Sequence, residues 1–177
     1  MKKRALMIIA FDNFRDEEYL EPKKVLVAGN IEVVTASNQL GQAKGKLGLN
    51  ARVDLTIDEV KVSDYDAIIF IGGPGSYDYF DNPLAQHIAQ KAVKQDKILG
   101  AICAAVGTLA KAGVLKGLKA TSFPGVSQIL TENGAHYLAT GLEIDALPTS
   151  KTGKIITADG PTNAKKFGEE ILKKLLS

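Results

Sequence analysis

The stretch DAIIFIGG, residues 66–73, constrains the fold of this chain more than any other. Its apolar residues are consecutive rather than alternating, and a strand of that kind needs cover on both faces. RALMIIAF (4–11) and KILGAI (97–102) have the same character, and IEVVTAS (31–37) resembles them more weakly. Helical patterns lie between these runs. RDEEYLEPKKVLVAGN (15–30) has acids in its first turn and stops at Gly29. DNPLAQHIAQKAVKQ (81–95) starts with Asn82 as N-cap and Pro83 at the first helical position. Four-residue spacing there puts Leu84, Ile88 and Ala92 on one face, with His87 and Lys91 near its edge. AAVGTLAKAG (104–113) ends at Gly113, and TNAKKFGEEILKKLL (162–176) aligns Phe167, Ile171, Leu172 and Leu175. VDLTI (53–57), KATSF (119–123), AHYLAT (135–140) and KIITA (154–158) read as shorter strands.

Strands alternating with helices predict an α/β sandwich on a mostly parallel sheet, one domain over residues 1–177. Sites in such sheets lie at the carboxyl ends of the strands. Composition removes several alternatives. The net charge of +2 comes from 22 basic and 20 acidic residues with no basic run, so no nucleic-acid surface is expected. The apolar stretch after MKKR is too short to span a bilayer and has no cleavage signal, so neither membrane nor secretion is expected. One cysteine cannot close an internal disulfide, which fits a cytoplasmic location. Two histidines and one cysteine make a metal site unexpected.

That cysteine is Cys103, where the strand KILGAI turns into the helix AAVGTLAKAG. A nucleophile on a sharp strand-to-helix turn needs small residues two places either side, and Ala101-x-Cys103-x-Ala105 supplies them. Helix N-terminal N–H groups would also favour thiolate over thiol. Local sequence leaves a second reading open, since free Cys is often a small buried hydrophobe. The loop GGPG (72–75) follows another buried strand. Glycines there can turn backbone N–H groups outward as an oxyanion hole requires, or simply form a turn. No phosphate-cradling G-x-G-x-x-G or G-K-[ST] pattern is present.

Taken with NGAHY (133–137), IITADGPTNAKKFGEEI (155–171) and EEYLEP (17–22), AIIFIGGPGS (67–76) and AICAAVGTLAKAGVLKGLKATSFPG (101–125) resemble the ThiJ/PfpI superfamily nearly end to end. The resemblance implies a flavodoxin-like three-layer sandwich with helices on both faces of the sheet, Cys103 on a nucleophile elbow, and a homodimer. It also implies that a glutamate four residues before a proline reaches the cysteine sulfur. Glu18 and Pro22 have that spacing, and Glu21 is the less favoured contender. A carboxylate beside a thiolate raises the thiol pKa, so Glu18 is expected protonated and Cys103 largely thiolate.

The peptidase-like members place histidine directly after the cysteine, where this chain has Ala104. Some relatives carry a histidine at the place of Phe123. His87 reads as a helix-surface residue and His136 as remote from the elbow. The pattern is nearer the ThiJ branch. The expectation is a cysteine-dependent stress-response enzyme acting on α-oxoaldehydes, converting methylglyoxal to lactate without glutathione, cofactor or metal, or reversing adducts of such aldehydes on proteins. Cys103 adds to the carbonyl, Glu18 moves the proton, and the N–H groups of Gly73 and Ala104 hold the oxyanion. The alternatives are a redox sensor or chaperone whose cysteine oxidises to sulfinate, and a cysteine peptidase or amidase completed by a histidine from another subunit.

Overall fold

The computed structural model describes residues 2–144 and 154–177. Its strands are β1 (Arg4–Ile8), β2 (Asp12–Phe14), β3 (Glu32–Ser37), β4 (Gly41–Gly45), β5 (Asn50–Val53), β6 (Leu55–Thr56), β7 (Ala67–Phe70), β8 (Ile98–Ile102), β9 (Lys119–Ala120), β10 (His136–Tyr137), β11 (Leu142–Ile144) and β12 (Ile155–Ala158). The α-helices are α1 (Asp16–Ala28), α2 (Pro83–Lys94), α3 (Val106–Lys111), α4 (Ser127–Glu132) and α5 (Ala164–Leu176). Seven strands form one sheet in the order β11-β12-β8-β7-β1-β3-β6. All its neighbours run parallel except β11, which is antiparallel to β12.

The uninterrupted apolar runs occupy the middle of this sheet because both of its faces are covered. Along β1, Ala5 and Met7 face one core while Leu6 and Ile8 face the other; β7 divides Ala67 and Ile69 from Ile68 and Phe70 in the same way. The first core is closed by Tyr19 and Leu26 of α1 and by Phe167, Ile171 and Leu175 of α5. The second is closed by Ile88 and Ala92 of α2 and Val106 and Leu109 of α3. Each large apolar side chain buried this way contributes roughly 1.5–3 kcal/mol.

Two expectations need correction. Leu84 is 44% exposed, and the inward positions of α2 are Ala85, Ile88, Ala89 and Ala92. The buried face is centred one residue further on, so the helix meets the sheet through alanines at close range. VDLTI is also not one strand: it is divided among β5, β6 and a 3-10 turn at Ile57–Glu59. The N-cap reading of Asn82 is correct, its Oδ1 accepting from the amides of Leu84 and Ala85 at 2.9 and 3.2 Å.

A second, three-stranded sheet, β2-β4-β5, flanks the carboxyl end of β1. Its β4–β5 turn carries Lys46 and is fastened to the start of α1. The Lys46 amide donates to the Phe14 carbonyl at 2.8 Å, and the Leu47 and Leu49 amides donate to the two Asp16 carboxylate oxygens at 2.9 and 2.7 Å.

Candidate active site

Three chain segments meet at the carboxyl edge of the parallel sheet: the end of β8, the end of β7 and the start of α1. Cys103 directly follows β8 and has φ +60°. Asn13, Asn30 and Asp96 also have positive φ, but their short polar side chains tolerate that conformation. Cysteine has no such excuse, so its backbone is strained. The strain turns the side chain out of the sheet while Ala104 and Ala105 pack inward. It is partly exposed and lies on the wall of a cavity of about 330 Å³.

At the end of β7, Gly72 and Gly73 let neighbouring chains approach. A Cβ on Gly72 would lie 2.5 Å from Glu18 Oε2 and 2.7 Å from the Cys103 Cβ. Gly73 has φ +106°, and a Cβ there would strike the Arg15 amide and the Asn13 carbonyl. The Arg15 amide donates to the Gly72 carbonyl at 2.9 Å, which locks the start of α1 onto this loop. One helical turn on, Glu18 is fully buried beside the thiol. Pro22 has no N–H to offer the Glu18 carbonyl four residues back.

Cys103, Glu18, Gly73 and Ala104, the four residues singled out from sequence, all line this one cavity. Glu21 does not; it is partly exposed and pairs with Lys24 at 3.1 Å. His87 and His136 are both exposed and neither lines it. Sequence reasoning missed Arg15, Lys46 and Asp159 on the same walls. Arg15 and Lys46 come from polar segments with no local pattern to distinguish them from solvated charges.

The electrostatics correct the expected resting thiolate. Neither Glu18 oxygen has a hydrogen bond of full geometry. Burial pushes the Glu18 carboxyl up to about 7, against the opposing pull of the nearby thiol, the Arg15 charge and the Gly72 amide. Burial, then the Glu18 charge and its hydrogen bond, push the Cys103 thiol up to about 12; the amides of Ala104 and Gly73 pull the other way. Two of the three influences raising the thiol vanish once Glu18 takes the proton. Below about pH 7 both groups therefore hold their protons, above it the pair keeps one, and a thiolate forms most readily beside a protonated Glu18. Among the described residues no cluster of three or more metal-ligating side chains occurs, and no helix is long and apolar enough to cross a membrane.

A strained cysteine at a strand-to-helix turn, next to a buried acid on a doubly covered parallel sheet, defines a flavodoxin-like cysteine protein. This chain belongs to the DJ-1/PfpI family, whose model matches residues 3–174. It is 38% identical to an uncharacterised protein of Methanocaldococcus jannaschii over 96% of this chain and 81% of that one. Deglycase PfpI of Pyrococcus furiosus is 32% identical over 79% of this chain and 84% of its own length. Glutathione-independent glyoxalase DJR-1.2 of Caenorhabditis elegans is 28% identical over 98% and 89% respectively. Among solved structures, a ThiJ/PfpI domain protein from Brachyspira murdochii superposes with a TM-score of 0.93 at 28% identity, covering 99% of this chain and 98% of that one.

Proposed function

We propose that the protein is an enzyme acting on α-oxoaldehydes, a glutathione-independent glyoxalase, with reversal of the same aldehydes' protein adducts as a second outlet for one site. The observation that carries this reading is the Glu18–Cys103 pair, a fully buried acid beside a cysteine on the wall of one cavity. Relatives named as deglycases and as a glutathione-independent glyoxalase support it.

Each role follows from the pair's chemistry. The proton passes from sulfur to Glu18 as sulfur attacks the aldehyde carbon. The carbonyl oxygen develops negative charge beside the Gly73 and Ala104 amides, each such donor worth roughly 3 kcal/mol in comparable holes. Protonation of that oxygen gives a hemithioacetal and leaves Glu18 ionised. Glu18 then removes the proton from the sulfur-bearing carbon and returns it to the neighbouring carbon, while the hydroxyl proton passes from the first oxygen to the second, giving a thioester of the 2-hydroxy acid. Water releases the acid and regenerates the thiol. The net change is methylglyoxal plus water to lactate plus a proton.

The test is lactate formation from methylglyoxal without glutathione, comparing the native chain with Cys103→Ser and Glu18→Gln. Turnover in the native chain, lost in both variants, is expected. Equal turnover by Cys103→Ser rejects the mechanism. A redox-sensing role is favoured by one observation, the unpartnered Glu18 oxygens, which in protonated form can donate to a sulfinate oxygen. If methylglyoxal is not consumed while mild peroxide adds two oxygens to Cys103, that role takes precedence.

A further inference from the structure

We propose that the thiol cavity is built for an α-oxoaldehyde that carries a carboxylate, with Lys46 and Arg15 as the residues that recognise the anion. This names the substrate class of the site above and rests on that reading for the reaction, though not for the binding of the anion.

Size comes first. A cavity of about 330 Å³ falls within the range of small-molecule pockets and has far more room than the three-carbon methylglyoxal fills. Exposed Tyr77 and Phe123, 44% and 43% accessible, extend its wall outward. The space around the reacting carbonyl is therefore available to a longer tail.

Charge decides what kind of tail. Arg15 and Lys46 both line the cavity. They stand together, because the Lys46 amide is bonded to the carbonyl of Phe14, the residue before Arg15. Arg15 is ion-paired with Glu17 at 2.8 Å, whereas Lys46 has no carboxylate within 4.0 Å among the described residues. Lys46 is thus the cation available to a ligand, and Arg15 adds field from a guanidinium already oriented.

The position of Lys46 is built. Asp16 is 8% exposed and spends both carboxylate oxygens on amides of the β4–β5 turn. Gly45 leaves the room Asp16 needs: a Cβ there would lie 2.6 Å from its carboxyl carbon. The turn, with Leu49 packed on the core, is thereby held against α1 and its lysine on the wall of the thiol cavity. Pre-organising a charge in this way reduces what binding must spend on ordering it.

The opposing acid lies on the other flank. Asp159 follows β12, which adjoins β8, while the cations flank β1 on the far side of β7. Its Oδ1 also accepts from Asn163 Nδ2 at 2.8 Å. The cavity is polarised across Cys103, positive towards β1 and negative towards β12. A singly charged carboxylate on the β1 side meets attraction without facing Asp159.

The single cysteine makes a test independent of turnover possible. Cys103 is alkylated with iodoacetate and with iodoacetamide, reagents of similar size that differ in charge. The ratio of their rates is compared with that of the same chain unfolded in urea. The native ratio is expected to exceed the unfolded one about tenfold. Lys46→Gln lowers it about fivefold, Lys46→Arg restores it, and salt at about 0.5 M flattens it. A native ratio equal to the unfolded one, or one unmoved by Lys46→Gln, overturns the proposal. So does failure of either reagent to label the native chain. In a second arm, kcat/KM for 4,5-dioxopentanoate is compared with that for methylglyoxal; the anionic substrate is expected to be preferred about tenfold, through KM, with the preference lost in Lys46→Gln. Charge-dependent alkylation with no turnover of either aldehyde sinks the α-oxoaldehyde reading and sustains the anion site. Turnover of both without preference does the reverse.

Discussion

Two buried acids stand two residues apart at the start of α1, and they are placed in opposite situations. Asp16 has both oxygens engaged by backbone amides of the β4–β5 turn. Glu18 has no full hydrogen bond on either oxygen and faces a thiol. Each lies against a glycine with no room for a Cβ, Asp16 on Gly45 and Glu18 on Gly72. A buried charge with its acceptors filled fastens structure; one left unfilled is held by the structure around it and remains free to exchange a proton. The contrast separates the residue that builds the site from the residue proposed to work in it.

The largest effect that can break this comparison is on rate. Glu18→Gln should lower lactate formation by roughly 10²–10⁴, the usual range for losing a positioned acid–base group, while Asp16→Asn changes it less than about tenfold. A loss of equal size in both would erase the distinction. Stability should show the reverse. Asp16→Ala removes two charge-assisted hydrogen bonds and should lower the unfolding free energy by about 2–4 kcal/mol in urea titrations. Glu18→Met at pH 8 should raise it by about 1–3 kcal/mol, because an uncompensated buried charge is removed.

Dependence on pH sharpens the point. The folded-state pKa of Glu18, about 7, lies above its unfolded value near 4.5, so the native chain holds the extra proton between them. Glu18's contribution to stability is therefore complete below pH ~4.5 and lost as pH rises through about 7, a change of about 3 kcal/mol. Urea midpoints measured from pH 4.5 to 8 should reveal this slope, and Glu18→Gln should remove it. The two glycines separate packing from chemistry. Gly72→Ala and Gly45→Ala should each destabilise by about 1–3 kcal/mol. Only the first should slow alkylation of Cys103 by iodoacetamide, since only its Cβ would press on the cysteine.

Much of this arrangement could be read from local pattern, but not all. The doubly covered strands were legible because burial on both faces leaves uninterrupted apolar runs such as AIIFI, and the elbow because close chain passage demands the alanines around Cys103. Glu18 was legible only through family resemblance; nothing in EEYLEP itself distinguishes a buried acid from the partly exposed Glu21 three residues on. The β4–β5 hairpin left only a faint alternation of Ala43, Leu49, Ala51 and Val53, and nothing local joins its turn to Asp16, 31 and 33 residues away. Leu84 misled because helical spacing identifies a stripe without saying how closely the helix sits, and here alanines take the inner positions.

The positive φ of Cys103 has a consequence for how such a chain changes over generations. At φ +60° glycine is the residue the backbone prefers, so the mutation that relaxes this turn is also the one that deletes its sulfur. A copy required only to fold has a downhill path out of the site through a single codon. Retention of cysteine at this turn therefore measures how long a lineage has needed its thiol, independently of which substrate the thiol meets.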